Sequence, residues 1–175
     1  YAQRVNAAGV PQWTTNGVAL CTAIGIQGAI ASVSDGASGA IITWSDARVG
    51  AYDIYAQRVS PDGIPLWALN GVAVCTAVDY QSVPQIISDG LGGAIITWGD
   101  YRTGTPQEDI YAQRIDASGA VQWSVNGVAL CTAMDGQDRP QIVTDGSGGA
   151  IVTWFDKRNG DSDIYAQRVN ASGIP

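Results

Sequence analysis

Tyr-Ala-Gln-Arg occurs four times, at Tyr1, Tyr55, Tyr111 and Tyr165, so successive copies are separated by 54, 56 and 54 residues. Other motifs keep the same phase: Asn-Gly-Val-Ala from Asn16, Asn70 and Asn126, Trp-x-Asp-x-Arg from Trp44, Trp98 and Trp154, and Asp-Ile-Tyr from Asp53, Asp109 and Asp163. A period of this length means one supersecondary unit per repeat, each burying its surface against its neighbours. Counted from Tyr1, the repeats are 1–54, 55–110 and 111–164, with a partial fourth over 165–175, all in one domain spanning 1–175. The two extra residues of the middle repeat fall within Thr103–Glu108, which marks that segment as a loop. Both ends fall inside a repeat, so the array is expected to continue in a longer propeller.

Within a unit the pattern is β throughout. Gln85–Ser88 and Ala94–Trp98 read as short strands either side of Asp89-Gly90-Leu91-Gly92-Gly93, where glycines supply the positive φ of a tight turn. Ile110–Ile115 is a third strand, and Val121–Cys131 contains a fourth, bent near Asn126-Gly127. No window shows helical periodicity. Four antiparallel strands at this period predict an all-β fold, a β-propeller of four-stranded antiparallel blades with about three blades present. Radial packing explains strands that are apolar on both faces. A β-solenoid is the alternative, although its rungs are shorter and lack two hairpin turns per unit.

Composition narrows the partners. With a net charge of −7 the chain lacks the basic surface that nucleic-acid or anionic-membrane binding requires, and it contains no apolar run long enough to span a bilayer. The three cysteines, Cys21, Cys75 and Cys131, occupy one repeat position. Equivalent positions on neighbouring units are too far apart for a disulfide, and no histidine or second close cysteine completes a zinc site. They read as small buried strand residues.

The pattern Pro-Gln-Ile-x-Ser-Asp-Gly-x-Gly-Gly-Ala-Ile-x-Thr-Trp-x-Asp-x-Arg, followed by Asp-Ile-Tyr-Ala-Gln-Arg-Val and Gly-x-x-x-Trp-x-x-Asn-Gly-Val-Ala, resembles the propeller-type repeats of multi-repeat secreted bacterial proteins. The resemblance covers essentially the whole chain. It implies an exported, extracellular or cell-surface propeller and brings no activity with it. A looser similarity links Ser88-Asp89-Gly90 and Trp98 to the Asp-box of sialidase-type propellers, but the spacing differs and no catalytic residue is transferred.

Seven of the nine basic residues and nine of the sixteen acids stand at repeat positions. A group needed once for chemistry would not recur in every unit, whereas one that braces a blade would. Asp46 and Arg48, Asp100 and Arg102, and Asp156 and Arg158 are each two residues apart, so each pair is expected to form an ion pair or to cap turn amides. The six tryptophans, two per unit, are expected to pack between blades. No cofactor or metal is expected. Ca²⁺ at the oxygen-rich loop Asp156–Asp163 is the alternative, but its spacing is not that of an EF-hand and Asp46 and Asp53 are the only acids in the equivalent loop of the first unit.

Function on a repeat scaffold is expected where the symmetry breaks. With strands ordered from axis to rim, the loop after strand two and the crossover to the next blade share one face. This is the face that varies, and it carries Tyr52, Tyr80, Tyr101, Glu108, Asp138, Arg139 and Lys157 as candidate ligand-binding residues. Drift on an unconstrained surface would produce the same variation. The expected function is a non-catalytic binding or spacer module meeting a protein or glycan. The alternative is a self-assembling unit in which chains associate through open blade edges. A propeller glycosidase would need two differently tuned carboxylates, and none stands out; the chain also has no histidine.

Overall fold

The structure, a computed structural model, describes residues 1–104 and 107–175. Thr105 and Pro106, within the insertion segment Thr103–Glu108, lie outside the described residues. Among the described residues there are eleven strands and no helix. The first sheet holds β1 (Gln27–Ser34), β2 (Ala40–Val49), β3 (Ala51–Val59) and β4 (Val72–Cys75) in sequential antiparallel order. The second repeats this with β5 (Gln81–Ser88), β6 (Ala94–Asp100), β7 (Asp109–Ile115) and β8 (Val128–Cys131). The third has three strands, β9 (Gln137–Thr144), β10 (Ala150–Asp156) and β11 (Asp163–Val169). Ahead of β1, Ala2 and Val18 pair as an isolated antiparallel bridge at the positions that Ala56–Val72 and Ala112–Val128 occupy in complete blades. The N-terminal segment is therefore the outer half of a blade.

The arrangement is an open set of propeller-type blades, not a solenoid. Each sheet is a meander, and the innermost strands β1, β5 and β9 pack on one another. Neighbouring blades share hydrophobic cores. Ile41, Ile54, Ala56 and Val74 of the first blade meet Ala94, Ile96, Trp98 and Ile115 of the second. Ile95, Ile110, Ala112 and Leu130 of the second meet Ala150, Val152, Trp154 and Val169 of the third. Adjacent residues such as Ile95 and Ile96 point to opposite faces of one strand, and both are buried because each face meets a different neighbour.

Local chemistry sets the turns. Asp35 Oδ1 accepts hydrogen bonds from the Ala37 and Gly39 amides at 2.8 Å each, and Asp89 and Asp145 cap the equivalent turns in the same way. Asn70-Gly71 and Asn126-Gly127 both take positive φ, which turns the chain just before β4 and β8.

The inner strands begin earlier than the sequence pattern indicates. β5 starts at Gln81, four residues before the strand Gln85–Ser88 expected from the sequence. A β-bulge accounts for the lost periodicity: the register shifts between Ser82 and Gln85, and Ala29, Val83 and Arg139 hold φ of 47°, 50° and 53° at this repeated point.

Candidate functional site

The repeated charges form one knot per blade. Asp100, fully buried at the end of β6, accepts from the Arg102 backbone amide at 2.9 Å, from Arg102 Nε at 2.8 Å and Nη2 at 2.6 Å, and from Trp98 Nε1 at 2.8 Å. The Arg102 guanidinium lies 3.8 Å from the centre of the Tyr111 ring and donates to the Asn126 carbonyl at 2.8 Å. Asp46–Arg48 repeats the whole arrangement, and Asp156–Arg158 repeats its carboxylate, tryptophan and tyrosine contacts. Burial would raise the Asp46 carboxyl, but hydrogen bonds from Arg48 and Trp44 outweigh it and hold the pKa below the usual carboxylate range. The Arg158 hydrogen bonds do the same for Asp156.

The cysteines join these knots. Arg48, Arg102 and Arg158 each donate to a cysteine of the preceding blade, Cys21, Cys75 and Cys131, at 3.5, 3.2 and 3.0 Å. All three thiols are free, and burial pushes Cys75 up to about 12. The position is therefore a junction contact as well as a small strand residue.

Two further repeated devices were not resolved into partners by spacing. Arg58, Arg114 and Arg168 reach back 23–25 residues to Asp35, Asp89 and Asp145, ion pairs that only the β-meander brings together. Gln57 and Gln113 are fully buried; each side chain donates to a carbonyl (Ala68, Ser124) and accepts from a tryptophan amide (Trp67, Trp123). The repeated Tyr-Ala-Gln-Arg motif was the signal for both.

One repeat position is broken in the first blade. The second residue of each Asp pair, Asp53, Asp109 or Asp163, lies directly opposite Asp46, Asp100 or Asp156 in the strand ladder. Thr103 Oγ1 donates to Asp109 at 2.8 Å and Asn159 Nδ2 to Asp163 at 3.2 Å. The equivalent residue in the first blade is Val49, and the buried Asp53 Oδ2 has no hydrogen-bond partner among the described residues. Burial and repulsion from Asp46 push Asp53 up to about 6. An acid whose pKa rises on folding binds more protons folded than unfolded. Its stabilising contribution is complete below the unfolded value near 3.8 and is lost as pH rises through about 6. Asp53→Asn is therefore expected to gain on wild type across pH 4–6, reaching about 2–3 kcal/mol by pH 7. Val49→Thr, which restores a donor, is expected to recover about 1 kcal/mol at pH 7. Denaturant unfolding at pH 4, 5, 6 and 7 measures both, and a pH-independent difference between Asp53→Asn and wild type would refute the assignment.

The non-repeated residues gather at the blade junctions on a single rim. Between the second and third blades, Tyr101 Oη donates to Glu108 Oε2 at 2.9 Å, and the Glu108 carbonyl accepts from the Gln137 amide at 2.6 Å. Lys157 Nζ donates to Asp138 at 3.1 Å; burial raises the Glu108 pKa, and the Asp138 carboxylate adds to the rise. Burial and the Glu108 hydrogen bond push Tyr101 up to about 12. Gly99 makes the cluster possible: a side chain there would collide with the Glu108 carboxylate, and the equivalent residues are Ser45 and Phe155. Arg139, aimed outward by the bulge, lies 5.9 Å over the Phe155 ring. Between the first and second blades the Tyr52 and Tyr80 rings are 6.1 Å apart. Tyr52 also lines a shallow recess of about 170 Å³ with Ser45, Ser82 and Val83.

The seven rim residues thus fall into two junction groups, Tyr52 with Tyr80, and Tyr101, Glu108, Asp138, Arg139 and Lys157 around the next junction. Gly99 and the bulge were not read from sequence as parts of this rim. In the Asp156–Asp163 loop, Asp156 is engaged by Arg158 and Trp154, and Asp163 by Asn159. No group of three or more acidic, histidine or cysteine side chains is placed to hold a metal ion among the described residues. In comparisons with known proteins, no family model matches the chain and no curated protein shows significant similarity to it.

Proposed function

We propose that this chain is a non-catalytic blade scaffold of an exported or cell-surface protein, and that its variable rim binds a glycan or a protein partner. The observation that carries this reading is the division of labour among polar groups. The repeat-position Asp–Arg pairs are consumed within and between blades, whereas the non-repeated polar and aromatic groups converge at two adjacent junctions on one rim. Paired tyrosines at one junction, and carboxylates with an arginine at the next, suit sugar hydroxyls or a polar protein surface. The exported location rests on the sequence resemblance to secreted repeats. A hydrolytic role is less well supported: Glu108 is tied to Tyr101, Asp138 to Lys157, and the chain has no histidine to act as acid or base.

A glycan array and a panel of candidate protein partners, both probed with the intact chain, test the proposal. Binding is expected to fall about tenfold or more in Tyr80→Ala and Arg139→Ala, with thermal stability unchanged. A partner whose affinity is indifferent to both substitutions would count against the rim as the binding surface.

A further inference from the structure

We propose that the recess between the first and second blades is a subsite for one uncharged sugar ring, with Ser45 and Tyr52 as its recognition residues. Such a subsite presupposes that the rim is a binding surface, and it fixes where on the rim the ligand sits. The recess, of about 170 Å³, is lined by Gly28, Ala29, Ser45 and Tyr52 of the first blade and by Ser82 and Val83 of the second. Both walls belong to complete four-stranded sheets. At roughly 30 Å³ per water molecule the recess has space for about five or six waters, which suits a single six-membered ring with its hydroxyl groups.

Ser45 is 4% exposed, and its Oγ is buried with no hydrogen-bond partner among the described residues. Thr43, two residues earlier on the same face of β2, donates to the Tyr55 carbonyl at 2.9 Å. Ser45 is aligned with Ile54 in the ladder and has no such acceptor. A buried hydroxyl without a partner is costly, and no hydrogen bond holds Oγ in its present rotamer. Rotation about χ1 can therefore turn it toward a group in the recess, where it serves as both donor and acceptor. A sugar hydroxyl has the same two capacities. Tyr52 and Tyr80, with rings 6.1 Å apart and Tyr80 46% exposed, offer aromatic surface to the C–H side of the ring. The β-bulges between Gly28 and Ala31 and between Ser82 and Gln85 interrupt the ladder at Ala29 and Val83, so pairing does not consume all of the strand backbone beside the recess.

The next junction shows why the ligand is uncharged. Ser45, Tyr52, Ser82 and Val83 correspond there to Gly99, Glu108, Asp138 and Arg139. The Glu108 carboxylate takes the space beside Gly99 and is held by the Tyr101 hydroxyl at 2.9 Å. The chain thus fills the second place with an acid of its own. The first is lined by no charged side chain among the described residues. A sugar acid entering it would bring a carboxylate with no cation to pair with, and burying an unpaired charge is far more costly than burying a hydroxyl that gains a hydrogen bond.

Backbone NMR of the isotope-labelled chain, titrated with the methyl glycosides of glucose, galactose, mannose and N-acetylglucosamine, tests the subsite. At least one glycoside is expected to shift the Gly28, Ala29 and Ser82 amides with a Kd of about 1–10 mM. Glucuronic acid is expected to bind at least about tenfold more weakly than that glycoside. Ser45→Ala and Tyr52→Ala are each expected to weaken binding about tenfold. Ser45→Ala removes an unpartnered hydroxyl and should melt no lower than wild type, so its loss of binding is not a loss of fold. Absence of shifts at these amides with all four glycosides at concentrations well above this range would overturn the subsite. So would shifts that survive both substitutions, or glucuronic acid binding as tightly as the neutral sugars. Failure of the subsite is distinct from failure of the rim: a protein partner whose affinity falls in Tyr80→Ala, with none of the four glycosides bound, would keep the rim as a binding surface and remove the sugar site.

Discussion

Replacing Asp100 with alanine is expected to destabilise the chain by about 3–5 kcal/mol, the usual cost of leaving one member of a buried ion pair without its partner. Four hydrogen bonds converge on this carboxylate, from Arg102 through its backbone amide, Nε and Nη2, and from Trp98 through its indole nitrogen. Alanine leaves the guanidinium only 19% exposed, without its counter-ion, and strands the indole donor inside the junction between the first and second blades. At roughly 3 °C per kcal/mol for a chain of this size, the melting temperature should fall by about 10 °C. Asp138→Ala is the control. Asp138 also forms an ion pair, with Lys157, but the two side chains are 30% and 49% exposed, so its loss should cost no more than about 1 kcal/mol. Equal losses from the two substitutions in thermal unfolding would show that the knot does not brace the blade.

Gly127→Ala is expected to cost about 2–4 kcal/mol, although it adds a single methyl group. Gly127 has φ of +88°, where an L side chain pays roughly 1–2 kcal/mol. A methyl group there would also meet the Trp98 ring at 2.6 Å and the Ala112 carbonyl oxygen at 2.8 Å, and crowding of this kind adds roughly 1–3 kcal/mol. Gly90→Ala separates the two causes. Its φ is +76° and the space around it is open, so it should show the conformational cost alone, about 1–2 kcal/mol. If both variants lose the same amount, the close approach of Trp98 to the Asn126-Gly127 turn does not bear on stability. Gly71 repeats this geometry against Trp44, so the result should transfer to the first blade.

Much of the architecture was legible because a repeat states its local rules several times. Asp-Gly turns, β-branched runs and the two-residue offset between Asp46 and Arg48 are local features, and they identify hairpins and the knot without knowledge of distant neighbours. The inner strands were read too short because the bulge at Ala29, Val83 and Arg139 breaks the two-residue alternation on which a strand reading depends. The seven rim residues were chosen because they break the repeat, but chain position could not tell which would meet. Glu108 reaches Tyr101 because Gly99 leaves the space, and nothing local to Glu108 encodes that.

The sequence by itself determined the unit, its turns, its strand order and the charges that recur to brace each blade. These follow from residues close along the chain, or from symmetry that repetition makes visible. The tertiary structure decided which equal residues have unequal environments. Ile110 and Ile164 occupy the same motif, yet Ile110 is 0% exposed and Ile164 is 68% exposed. Asp53, Asp109 and Asp163 share a position, yet among the described residues the first has no donor for its buried oxygen. Burial and hydrogen bonding depend on what the neighbouring blade and loop place against a residue, and identical sequence in two places does not bring identical neighbours.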